Sequence, residues 1–381
     1  MYLGDLAACH ADTMIGVLGL EDGTRVEGTG FGASGVALGE LVFTTVMSGY
    51  EEALTDPSYH GQMLMFTYPL QGNYGISGDD FQSERMWPQA MVSRGYWDRP
   101  THYQHKKTLS QFLKDEGRPG LCGVDTRMLT LKVREQGVMR AAIAVGERSE
   151  VEELDVVAMA RSQPDISSRD LLGDVSCRAA YRIEGRGPRL AVIDLGIKKN
   201  ILRSLACRDF DMTVFPSHSS ISEIEAARPD ALFLSNGPGD PERAEKAIEA
   251  VKHFAGAMPI FGICLGHQVI SLALGARTFK LKFGHHGGNQ PVKDLEKKIV
   301  YITSQNHNFA VRPESVQDTD LVVTQLNAND GTVEAVKSDK LQVLAVQYHP
   351  EANPGPLCTE DPFFGSVQRM MKSAARKAGR R

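Results

Sequence analysis

Cys264 stands in "GICLGHQ", with Gly262 two residues before it and Gly266 two residues after, at the point where an apolar run stops and a helical pattern starts. This is the spacing of a nucleophile elbow, a tight strand-to-helix turn in which small neighbours let backbone approach the reactive side chain. A thiol at a helix N-terminus meets the positive end of the macrodipole and free backbone N–H groups. Both favour a thiolate, and both favour an oxyanion formed beside it. The same residue can also be read as a buried hydrophobe or as a metal ligand. A cysteine nucleophile needs a base, and the base needs an orienting group. "QYHPEANPGP" offers His349 and Glu351 just past an apolar strand, two residues apart and so directed to one side; the alternative is a surface turn around the proline. "LSNGPGDP", Leu234 to Pro241, closes another apolar run. Its Gly237 and Gly239 either present N–H groups to the same crevice or simply make a turn.

Positioning these groups falls to the stretch after Gly187. "PRLAVIDLG" reads as a strand, "KKNILRSLACRD" as an amphipathic helix and "DMTVFPS" as a second strand. "ISEIEAARPD" (helix), "ALFLSNGPGDP" (strand and turn) and "ERAEKAIEAVKHFAG" (helix) lead to the strand, turn and helix that hold Cys264. Alternation at this spacing predicts an α/β fold with a mostly parallel sheet flanked by helices, and ligands beyond the carboxyl ends of its strands. The cysteine, the His and Glu pair and the glycine loop then share one sheet edge. From "RTFKLKFG" onward the pattern is strand-rich, with hairpin turns such as "NANDGT" and a final helix after Pro362.

Ahead of this region, short alternating runs such as "MIGVLGLEDGTRVEGTGFG" read as strands. "TLSQFLKDEG" and "DTRMLTLKVREQG" read as helices that end at a glycine. Together they predict a mixed α/β domain. Residues 146–187 lack one clean period: "SEVEELDVVAMARSQPD" reads as helical and "SCRAAYRIEGRGPR" as an irregular connection, a linker region with a boundary near Gly187. The expected division is therefore 1–145, 146–187 and 188–381.

A chain of 381 residues has room for two full cores, and 42% hydrophobic with 23% charged residues is ordinary for a folded, water-soluble protein. The net charge of −5 argues against a nucleic-acid partner, and the basic tail "KSAARKAGRR" reads as a solvated helix end. No apolar run approaches the ~18–20 residues of a membrane span and the N-terminus lacks signal-peptide order, which predicts a cytoplasmic protein. The six cysteines, Cys9, Cys122, Cys177, Cys207, Cys264 and Cys358, form no C-x-x-C pair and read as reduced thiols. The metal reading of Cys264 is left with His267 and the "GHH" at His285 and His286 as its only partners in ligand spacing.

"GICLGHQ", "NGPGDP" and "HPEANPGP" resemble the triad domain of the class I glutamine amidotransferases, over roughly residues 188–375. Within that class the chain is similar to the small-subunit family of carbamoyl phosphate synthetases. "DLGIKKNILR", "KFGHHGGNQPV" and "SQNHNFAV" carry the likeness, together with "GELVFTTVMSGYEEALTDPSYHGQML" and "GVDTRMLT" in the leading domain. The resemblance implies Cys264 as nucleophile, His349 as general base and acid, and Glu351 as its partner. It further implies glutamine contacts from Ser58 of the leading domain and from Gly237, Gly239, Leu265, Gln268, Asn306, Asn308 and Phe309. The N–H groups of Leu265 and Gly237 would form the oxyanion hole. Two positions depart from the family pattern: Asn308, where glycine is usual, and His286, where some members have arginine. Asparagine at 308 would hold the left-handed backbone a glycine takes, with a side chain that crowds the glutamine site. Asp125 and Arg127 of "VDTR" are expected to serve packing or partner contact.

The function so implied is hydrolysis of L-glutamine and delivery of ammonia to a large synthetase subunit. That partner would make carbamoyl phosphate from bicarbonate and ATP for arginine and pyrimidine synthesis. No cofactor is expected in this chain; ATP and Mg belong to the partner, and no G-x-x-x-x-G-K-[ST] loop is present. A higher oligomer of heterodimers fits the same resemblance. Two other classes stay open: a non-catalytic regulatory module on this fold, against which the intact Cys, His and Glu set counts, and a stand-alone amidase or peptidase.

Overall fold

The alternating runs of the leading region close on themselves. In the computed structural model, which describes residues 14–377 with side chains through residue 374, the chain divides into two compact units, Met1–Arg169 and Asp170–Arg381. Cys9 and the end of the basic tail lie outside the described residues.

The first unit is built on a closed barrel. Its order is Ile15–Leu20, Arg25–Gly32, Pro119–Cys122, Ala90–Val92, Gln62–Phe66, Gly35–Thr44 and Met139–Gly146, which pairs back to the first. Three consecutive pairings, from Gly35–Thr44 round to Pro119–Cys122, are parallel. Strand residues such as Val17, Val42, Leu64, Met91, Leu121 and Ile143 are fully buried, as the period-2 pattern requires. The two expected helices are Leu109–Asp115, whose first turn is capped by Thr108, and Thr126–Gln136, where Asp125 accepts from Met128 N at 2.9 Å. Asp125 is thus a capping residue.

Within the expected linker region 146–187 the division into units falls at Arg169 and Asp170. Helices Arg148–Glu152 and Val156–Ser162 bury Val151, Val156 and Ala160 against Ile15, Val17, Ala142 and Ala144 of the barrel. Farther on, Tyr181–Ile183 pairs antiparallel with Asp211–Pro216 and becomes the edge strand of the second unit. The stretch that reads as helical, "SEVEELDVVAMARSQPD", is thus two short helices, each long enough to bury an apolar face.

The second unit is α/β. Its ten-stranded sheet has a parallel centre in the order Asp211–Pro216, Arg189–Asp194, Ala231–Leu234, Ile260–Ile263, Val343–Val346. Antiparallel strands extend it: Tyr181–Ile183 on one side, and Val333–Ser338, Val322–Asn327, Thr278–Asp294 and Ile299–Val311 on the other. Both faces are covered. Ala191, Ile193, Leu232, Leu234 and Ile260 pack into one core, while Leu190, Val192, Ala231, Phe233, Phe261 and Ile263 pack into another, the alternation of strands buried on both sides. Among the described residues no helix is long and apolar enough to cross a membrane.

Candidate active site

The parallel order sets three strand ends side by side: Leu234 leading into the glycine loop, Ile263 into Cys264, and Val346 toward His349. Register is locked across the junction, since Cys264 N donates to Val346 O at 2.8 Å and Gly266 N to Ser235 O at 2.9 Å. Cys264 itself adopts φ 54°, ψ −106° as N-cap of the helix Leu265–Ala273. Such a backbone is costly for any residue with a Cβ and marks an elbow held by its surroundings. The flanking glycines are steric necessities. A Cβ on Gly262 would come within 2.6 Å of Ile270 Cδ1 and 2.7 Å of Gly266 C, and one on Gly266 would strike the Leu234 carbonyl. Leu265, at the first helical position, has an N–H with no intrahelical acceptor.

The metal reading of Cys264 fails among the described residues, where it joins no group of potential ligands. His267 is fully buried, and burial, against a contact with the Ala345 backbone, pushes it down to about 3. It is a neutral core residue. The plain burial reading is also insufficient, because Cys264, though 1% exposed, faces polar groups: its Sγ donates to Asn306 O at 3.6 Å.

His349 is fixed by its backbone, which donates to Ser304 O at 2.8 Å, and by its ring, whose Nδ1 lies 2.7 Å from Glu351 Oε1. Its Nε2 has no partner other than the Cys264 sulfur, which acts on the ring. Burial opposes a charge on His349, yet Glu351 and then Cys264 outweigh it and raise the ring to about 10. Burial would likewise raise Glu351, but Lys198 and His349 hold it at about 2. Lys198 was not singled out from sequence. It is 1% exposed, with Nζ 3.0 Å from Glu351 Oε1 and 2.5 Å from Ala352 O. Its backbone is held in turn, N donating to Asn236 Oδ1 at 3.1 Å, while Asp194 Oδ1 closes the preceding turn by accepting from Gly196 N and Ile197 N. No sequence rule separates this lysine from its neighbour Lys199.

Gly237 sits where a Cβ would strike the Leu195 carbonyl, and Gly239 has φ 85°, so the loop needs both glycines. Gln268 lies one turn beyond Cys264 and donates through Nε2 to Phe309 O at 2.7 Å and to Gln347 Oε1 at 3.1 Å. Asn306, Asn308 and Phe309 lie in the strand Ile299–Val311. Position 308 is extended and absent from the residues with positive φ, so the left-handed backbone expected there does not occur. Its side chain meets the other departure from the family pattern. His286 Nε2 is 2.9 Å from Asn308 Oδ1, and Nδ1 is 2.9 Å from Asn306 Oδ1. Gly284, at φ 69°, makes the room: a Cβ there would collide with both Asn308 Oδ1 and His286 Nε2. Ser58 belongs to the first unit, in the turn Pro57–Tyr59, where its N–H donates to Asp56 Oδ1 at 2.9 Å. The other candidate residues are all in the second unit.

Comparison with known proteins covers both units. Residues 18–143 match the family described as "Carbamoyl-phosphate synthase small chain, CPSase domain", and residues 191–365 match "Glutamine amidotransferase class-I". The chain is 53% identical over 367 residues to the "Carbamoyl phosphate synthase small chain" of Methanosarcina mazei, across 94% of this chain and 99% of the relative. The protein of the same name from Caldanaerobacter subterraneus subsp. tengcongensis is 49% identical over 350 residues, covering 92% and 95%. That of Archaeoglobus fulgidus is 48% identical over 352 residues, covering 92% and 96%. Identity at this level along nearly the whole chain, with the two family matches in order, means that the chain belongs to the carbamoyl phosphate synthase small chain family and that its second unit is the class-I domain of a glutamine amidotransferase enzyme.

Proposed function

We propose that this chain hydrolyses L-glutamine at Cys264 and delivers the ammonia to a large synthetase subunit that makes carbamoyl phosphate from bicarbonate and ATP. The observation that carries the reading is the meeting of Cys264, on its strained elbow, with a His349 whose Nδ1 is held by Glu351 and whose ring is acted on by the cysteine sulfur.

In the proposed cycle the Cys264 sulfur, its proton already on His349, attacks the side-chain carboxamide carbon. The tetrahedral oxyanion is met by the N–H groups of Leu265 and Gly237. Collapse breaks the C–N bond, His349 protonates the departing nitrogen, and a glutamyl thioester remains. Water then attacks the thioester with His349 accepting its proton; glutamate leaves and the sulfur is freed with the proton again on His349. Glu351 keeps the imidazole oriented throughout and stabilises its charged form, with Lys198 neutralising the carboxylate from behind. Ser58, Gly239, Gln268, Asn306, Asn308 and Phe309 are proposed to hold glutamine. ATP and Mg are assigned to the partner, and the product to arginine and pyrimidine synthesis.

The test is Cys264→Ser in the assembly with its synthetase partner. Glutamine-dependent synthesis should be lost and ammonia-dependent synthesis retained; equal loss of both sinks the proposal.

A further inference from the structure

The strand Ile299–Val311 has a second face. There Gln305 and His307 join His285 and Glu334 in a cluster whose members are between 0% and 7% exposed. Glu334 Oε1 is 2.9 Å from Gln305 Nε2 and 3.0 Å from Asn327 Nδ2, while Oε2 has no partner among the described residues. The other end of the Gln305 amide lies 3.0 Å from His307 Nε2 and 3.1 Å from His285 Nδ1. His307 Nδ1 is 2.7 Å from Phe309 O, the same oxygen that accepts from Gln268. A chain of contacts thus runs from Glu334 through Gln305 and His307 to the carbonyl on which Gln268 hangs. His285, His307 and Glu334 are also a possible ligand group for a metal, but every ring nitrogen in it is already engaged by an amide, carbonyl or carboxylate.

Proton counting fixes the polarity of this chain. Phe309 O can only accept, so His307 Nδ1 carries hydrogen. Burial holds His307 well below the ordinary histidine range, which leaves the ring neutral and Nε2 a bare acceptor. The Gln305 atom facing it must then be the amide nitrogen, since the two ends of an amide have the same shape. Gln305 accordingly turns its carbonyl to Glu334, and two oxygens can meet there only if Glu334 carries a proton. A neutral acid also accounts for a fully buried carboxyl with one oxygen unpartnered, and burial raises Glu334 to about 7.

The groups facing Glu334 are His285, Asp330, His307 and Tyr348. Against burial, Asp330 and Glu334 draw His285 toward its charged form. Asp330 is held at about 2, also against burial, by His285 and Thr332, and Tyr348 is kept uncharged by burial. A charged His285 would aim Nδ1–H at Gln305 and require the Gln305 carbonyl there, set against the bare Nε2 of His307. The His307–Phe309 bond favours the Gln305 NH2 on that side, and with it a proton on Glu334 rather than on His285 Nδ1.

We propose that Glu334 is a positioning residue of the glutamine site: as a neutral acid it fixes, through the Gln305 amide, the His307 tautomer that holds the Phe309 carbonyl and with it Gln268. This deepens the glutaminase reading and rests on it. Ionisation reverses each link. Gln305 turns its NH2 to the carboxylate, and His307 can bond the incoming carbonyl only by moving its proton to Nε2, away from Phe309. Glutamine binding therefore weakens as pH rises through the Glu334 titration.

The experiment is steady-state hydrolysis of L-glutamine by the full chain with its synthetase partner, as KM and kcat across the neutral pH range, for wild type, Glu334→Gln and Glu334→Ala. A glutamine side chain at 334 donates to the Gln305 carbonyl as the neutral acid does, but cannot ionise. Glu334→Gln should keep the acid-side KM and lose the alkaline rise, whereas Glu334→Ala should raise KM about tenfold at every pH with kcat little changed. An alkaline rise that persists in Glu334→Gln, or a Glu334→Gln KM as high as that of Glu334→Ala, overturns the proposal. If Glu334→Ala does not fold, the pH comparison of wild type with Glu334→Gln decides alone. A wild type that does not hydrolyse glutamine at all instead overturns the glutaminase reading.

Discussion

Lys198 Nζ stands 3.0 Å from Glu351 Oε1, with the two side chains 2% and 0% exposed. The pair is the buried end of a line that runs through His349 toward Cys264. Lys198→Met leaves the Glu351 carboxylate without its cation in a dry site. Losing one partner of a buried pair costs about 3–5 kcal/mol, so the melting temperature should fall by several degrees. Glu351 should titrate upward from about 2, its largest lowering contact gone. Glutamine kcat/KM should drop by about a hundredfold as His349 loses its anionic partner. Thermal denaturation with steady-state kinetics checks both; a variant with wild-type kinetics would remove Lys198 from the site.

Gly266→Ala tests the elbow. The added Cβ meets the Leu234 carbonyl, which is backbone and cannot rotate aside. A loss of about 3 kcal/mol or more is expected, with glutaminase activity abolished. Gly173→Ala, in the helix Leu172–Val175 with nothing within 4 Å of the new Cβ, should be neutral or slightly stabilising. Paired urea denaturation curves make the comparison.

Asn308→Gly introduces the glycine that the resemblance implies at this position. Because the Asn308 side chain lies over Gly284 with Oδ1 2.9 Å from His286 Nε2, its removal takes that contact away. Stability should fall by about 1–3 kcal/mol while KM for glutamine stays within about threefold. A sharp fall in KM would show instead that the asparagine obstructs substrate.

The charge pair itself predicts a pH profile. Glu351 lies at about 2 against an ordinary 4.5, so its contribution to stability is in place above 4.5 and is lost as pH falls through about 2. His349 lies at about 10 against an ordinary 6.5, so its contribution is in place below 6.5 and is lost as pH rises through about 10. Melting temperature plotted against pH should show both limbs in wild type and shallower ones in Glu351→Gln. Parallel curves would mean that the two groups do not interact as described.

What could be read in advance was local. Gly262, Cys264 and Gly266 fall within five consecutive residues, and His349 and Glu351 are two apart, so a single window held each constellation. Strand-helix alternation likewise disclosed the parallel centre of the second sheet. Lys198 escaped because its partner is 153 residues away in sequence and buried lysines have no spacing that marks them. The meeting of His286 and Asn308 depends on pairing between two long antiparallel strands with bulges in their register. Barrel closure was hidden for a related reason: alternation assigns strands but not neighbours, and Gly35–Thr44 pairs in parallel with Gln62–Phe66 across an intervening helix.

The left-handed backbone of Cys264 sets chemistry against thermodynamics at one position. Glycine would relieve the strain at 264 by about 1 kcal/mol and leave the fold intact. A lineage freed from the need to hydrolyse glutamine would therefore be expected to drift toward glycine there, and such descendants should melt higher than this chain. Under the proposed cycle, cysteine at 264 is what the chemistry requires of a conformation that disfavours it, a cost readable from a single backbone angle.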